Sequence, residues 1–194
     1  MDAGDPGGRS RERAVRAKDH ASMAVVLAGV SIAWFAWGQQ GGRLTGVLHA
    51  GMALSAVVLV VAIVMVRRVP AAPTMATDRL VRKIYWVSVV AEVLAILVGV
   101  VLLGTTGNGA YLPAWTLVVV GLHFVPFVGI FRAPILRLAA VLCVLIGAAS
   151  VFLGLTGAVP APTVAGIGGG VALLGVALAA LRVAGPEGHR AASA

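Results

Sequence analysis

Glu92 and His123 are the residues of this chain whose types could hold or pass a proton within an apolar surrounding. Of the seven acidic residues, only Glu92 falls inside a long apolar segment. A charged side chain at that depth costs at least ~2.5–3.5 kcal/mol if lipid surrounds it. Glu92 must therefore face other protein, be neutral, or have a partner. His123 is the natural partner, because it lies near the middle of the next apolar segment, which runs antiparallel. Two chemistries follow. The pair is either a proton-labile or ligand-coordinating site, or an interhelical hydrogen bond that fixes packing. The residue types alone leave both open.

Helical periodicity surrounds the pair with further candidates. Tyr85, Ser88, Glu92, Ala95 and Gly99 share one face of their segment, and Thr116, Val120, His123 and Phe127 share one face of theirs. Ser88 and Pro126 are supporting residues. Pro126 has no N–H to offer the Leu122 carbonyl, which frees an acceptor one turn back, next to His123. His49, with Thr45, Met52 and Ala56, reads as a polar group in the outer third of the second segment. His49 and His123 lie at different expected depths, which argues against a bis-histidine haem site. The single cysteine, Cys143, rules out an intramolecular disulfide. It belongs to a small-residue stripe, Ala140, Cys143, Gly147, Ser150 and Gly154, of the kind that lets helix backbones approach closely. Gly166 and Gly170 form a second such pair. Gly168-Gly169-Gly170 is no phosphate loop, since it sits in an apolar run with no Lys after it. No catalytic residue, no metal site and no cofactor is expected.

The elements that position these groups are six apolar segments: Ser22–Gly38, Leu44–Val66, Ile84–Leu103, Leu112–Phe131, Ile135–Leu155 and Thr163–Leu181. Each is about long enough to cross a ~30 Å hydrocarbon core as a helix. The expected fold class is all-α, a compact bundle of six transmembrane helices. Of the fifteen Lys and Arg residues, all but Arg43 lie in the two tails and in the second and fourth connections. The positive-inside rule then puts both termini in the cytoplasm. Trp34, Trp37, Tyr111 and Trp115 sit near the outer ends of their segments, as an aromatic belt would. Residues 1–20 read as a basic disordered tail, 21–183 as the membrane domain, and 184–194 as a second disordered tail. The apolar run after the first tail ends in Trp34, Phe35 and Trp37 and reads as an uncleaved helix. Val69–Asp78, with Pro70 and Pro73, reads as a cytoplasmic linker.

Composition sets the partners. Hydrophobic residues make up 60% of the chain and charged residues 11%, which excludes an ordinary soluble domain. A net charge of +8 would suggest nucleic acid in a soluble protein. Here the cations flank apolar segments, so the expected partners are the lipid bilayer and anionic headgroups, with no nucleic acid. A homo-oligomer or another membrane protein is a further partner class that the small-residue stripes allow. The stretch Gly121-Leu122-His123-Phe124-Val125-Pro126-Phe127 resembles one in uncharacterised small multi-pass bacterial membrane proteins. That resemblance implies no known activity, substrate or cofactor, and singles out His123 and Pro126. The excess of Arg over Lys, with abundant Ala, Val and Gly, suggests a GC-rich bacterial genome, so the expected location is a bacterial inner or plasma membrane.

Two functional classes compete. One is a small transporter or channel-like protein that binds a proton, cation or small solute at Glu92 and His123. The other is a structural, assembly or regulatory membrane protein in which the pair locks two helices. A water-accessible cavity at Glu92 would favour the first, and a dry, closed bundle the second.

Overall fold

A computed structural model describes the backbone of residues 6–69, 79–130 and 134–192, and the side chains of 15–69, 79–129 and 135–185. It is a compact bundle of six helices: α1 (Pro6–Gly38), α2 (Thr45–Arg68), α3 (Arg79–Thr105), α4 (Leu112–Ile130), α5 (Pro134–Leu155) and α6 (Ala161–Ala192). All six are long and apolar enough to cross a membrane, and the described residues contain no strand. Short 3-10 turns, Gln39–Gly41 and Gly109–Tyr111, precede α2 and α4. Glycines turn the chain where a left-handed residue is needed, as at Gly42 and Gly107.

The outer helices run into the stretches read as tails. Helix α1 begins at Pro6, and α6 continues to Ala192. The stretch between Pro6 and His20 holds four Arg, two Ala, one Glu and one Lys, which favour helix even without an apolar stripe. Ala17 and Ala21 are also fully buried, so the bundle core holds this part of α1 in place. Ala184 does the same near the other end of the chain. The linker positions 70–78 and Arg132 lie outside the described residues.

The helices are not equivalent. In α6, 61% of the apolar window is buried by other protein, but in α3 only 6%. Helix α6 packs on α1, α2, α4 and α5, with its largest contact on α1. Glycine makes that contact possible. A Cβ at Gly166 would meet the backbone of Gly38 and the Trp34 carbonyl, and one at Gly170 would meet the Phe35 ring. The expected stripe on α5 serves the same purpose against α4. A Cβ at Gly147 would come within 2.9 Å of the Ala114 carbonyl, and one at Gly121 within 2.9 Å of the Ala140 carbonyl. Cys143 is fully buried in that seam. Between α1 and α2, Ser31 donates to the Ser55 hydroxyl at 2.8 Å, and Ser55 donates to the Gly51 carbonyl at 2.8 Å. Helix α3 is peripheral. Its packing partner among the helices is α4, and Gly99 is its one buried residue.

Candidate functional site, the seam between α3 and α4

Four layers of side chains join α3 to α4. At one end, the Trp115 indole N–H donates to the Ala95 carbonyl at 2.9 Å. Its ring lies in the notch left by Gly99, where any Cβ would overlap it. One layer deeper, His123 meets Glu92, with Nδ1 3.2 Å from Oε2. The same Nδ1 lies 3.1 Å from the Ser88 hydroxyl, one turn further along α3. At the other end, the buried Phe127 ring packs 4.9 Å from His123, centroid to centroid, and 5.9 Å from Tyr85.

Helical spacing puts Ser88 and Glu92 on one face, four residues apart, so both reach a single imidazole. That nitrogen carries one proton or one lone pair, and it has two partners. As an imidazolium N–H it donates to the Glu92 carboxylate, with Ser88 as a secondary acceptor. With Nδ1 unprotonated, the Ser88 hydroxyl donates to it, or a neutral Glu92 does. The two side chains thus share their protons, and the charge state belongs to the cluster. Burial is incomplete, with 13% of the His123 side chain and 20% of the Glu92 side chain exposed. The pair therefore lies at the rim of the bundle, between its most peripheral helix and the rest.

The structure brings together three of the five candidate residues, Ser88, Glu92 and His123. Pro126 lies inside α4, on its exposed side, and the helix continues past it to Ile130. His49 is exposed on α2, which packs on α1 and α6 and so stands apart from the seam. The helical wheel puts Thr116 and Val120 with His123, but the residue that bonds α3 is the neighbouring Trp115. Its long ring reaches across to a helix that Thr116 is too short to bond. Thr116 is buried, with no hydrogen-bond partner for its hydroxyl among the described residues. Val120 packs against the main core. A signal for Trp115 was present in the sequence: a glycine on the polar face of α3, two turns beyond Glu92, opposite a tryptophan two turns before His123.

Glu92 and His123 offer two ligands of a kind a metal would accept. No third His, Cys, Asp or Glu joins them among the described residues. What the arrangement can do is hold a proton between two helices and tie their separation to it. No family model, curated protein or solved structure matches the chain, so the fold and this seam carry the functional argument by themselves.

Proposed function

We propose that this multi-pass membrane protein is a regulatory or assembly component of its membrane, in which the Ser88–Glu92–His123 cluster clasps α3 to the bundle. The observation that carries this reading is the placement of the pair. It joins the one helix that buries a single residue to its sole substantial helical neighbour. Apolar packing contributes little to holding α3, so the polar and aromatic layers decide whether it docks. A change of proton count in the cluster then changes the docking of a whole helix. The interior argues the same way. Leu48, Leu117 and Leu173 are fully buried, and α1–α6 and α4–α5 approach backbone to backbone.

The transport reading keeps one supporting observation, the incomplete burial of both ionisable side chains at mid-depth. We place it in a bacterial inner or plasma membrane with both termini cytoplasmic. The flanking cations support that orientation, and the Arg-, Ala-, Val- and Gly-rich composition supports the source.

Spin labels on α3 at Leu97 and on α6 at Val171, both exposed positions, test the clasp in a Cys143→Ala background. The distance distribution should be narrow in that background and broaden in His123→Ala. The same protein in vesicles should pass no more protons under an imposed potential than empty vesicles do. An unchanged distribution, together with proton flux that Glu92→Gln abolishes, would replace the clasp with a carrier.

A further inference from the structure

The outward face of α3 forms a shallow trough of about 400 Å³ lined by Trp86, Val87, Val90, Ala91 and Leu94. All except Ala91 are large and more than half exposed, and the small Ala91 leaves the hollow between them. Arg82 and Lys83 stand one turn before Trp86 and Val87, at the four-residue spacing that stacks side chains on one helix face. Both are exposed, and the first turn of α3 contains no acidic residue. From Lys83 to Leu94 the helix rises roughly 17 Å. Half of a ~30 Å hydrocarbon core is about 15 Å. The cations and the trough beyond them therefore together span from a surface level to mid-depth, the length of one leaflet.

We propose that this face is a binding site for an anionic phospholipid, with its phosphate at Arg82 and Lys83 and an acyl chain along Trp86 to Leu94. Charge and length together select this occupant. A second copy of the chain, held in the same orientation by the membrane, would set the Arg82 and Lys83 pairs of both copies side by side. No acidic residue in that turn could offset them. A zwitterionic lipid would fill the trough but leave the cations without an anion. The site is independent of the clasp, which lies on the α4-facing side of α3.

Trp86 is its own reporter, because it is 59% exposed within the trough. The full chain is reconstituted in phosphatidylcholine vesicles containing either brominated-chain phosphatidylglycerol or brominated-chain phosphatidylcholine. The difference between wild type and Trp86→Phe isolates quenching at this residue. Each cation near the surface adds roughly a fivefold preference for an anionic lipid. Brominated phosphatidylglycerol should thus quench Trp86 at a severalfold lower mole fraction than brominated phosphatidylcholine. The double variant Arg82→Gln/Lys83→Gln should lose that preference, and Arg67→Gln/Arg68→Gln should keep it. Ala91→Leu should reduce quenching by both lipids. If the Arg82/Lys83 variant fails to insert, high salt on the wild type should remove the preference instead. Equal quenching by the two lipids in the wild type would overturn the site. Equal loss in both double variants would also overturn it, because the attraction would then belong to the whole surface. Protection of Trp86 from both lipids, with cross-linked dimers, would assign the face to a second copy.

Discussion

His123 holds two partners through one nitrogen, so neither its protonation nor that of Glu92 is an independent property. Glu92→Gln, His123→Ala and the double variant should therefore give non-additive stabilities in detergent, with a coupling that varies with pH. Interhelical polar contacts in membranes average only ~0.6 kcal/mol, so the expected coupling is about that size, up to roughly 1.7 kcal/mol. Unfolding measured across the cycle at several pH values checks this. Strict additivity throughout would reduce the pair to two separate packing residues. The pairing itself was readable from the sequence, because an ionisable residue in lipid must find a partner and His123 was the one available at that depth. Its third member, Ser88, followed from helical spacing. Trp115 did not, because a tryptophan near a segment end reads first as an interfacial anchor. Only the notch at Gly99 and the bond to Ala95 show that it also bonds sideways to α3, while part of its ring stays exposed.

The helices differ in what holds them. Helices α1 and α6 rest on glycine-mediated backbone contact, and a substitution there has a backbone as its neighbour, which cannot yield. Gly166→Ala should lower stability by ~1–3 kcal/mol, whereas Gly175→Ala on the same helix has open space around it and should not. Thermal unfolding of the two variants in detergent separates them. Both stripes that make these contacts were legible, since small residues at three- and four-residue steps have few other uses in an apolar helix. The ends of α1 and α6 were not. Apolar periodicity marks where lipid begins, but a helix can run on through charged residues of good propensity until something stops it. Nor was the isolation of α3 legible. Its composition is as apolar as that of α5, and only the packing reveals that α3 has one helical neighbour of substance.

For the molecule as a whole, six spans and one-sided cations predict a single topology. Reporter fusions after Asn108 and after His189 should report opposite sides of the membrane, and same-side signals would contradict the arrangement. Six crossings were readable because each apolar run is bounded by charge, Gly or Pro. The neighbour relations were not, because sequence order alone does not say which non-consecutive helices touch. Helices α2 and α3 follow one another in the chain yet pack on different helices.

The pairing of α1 with α6 also orders events in time. The most extensive contact in the bundle joins α1 to α6, the two of its six helices furthest apart in sequence. During synthesis, Trp34, Phe35 and Gly38 of α1 lack their partners Gly166 and Gly170 until α6 has been inserted. The α4–α5 hairpin can assemble locally as it emerges, but the α1–α6 contact joins residues far apart in sequence and forms late. An unfinished chain would thus leave that face of α1 open to other membrane helices, and premature termination would leave it open for good.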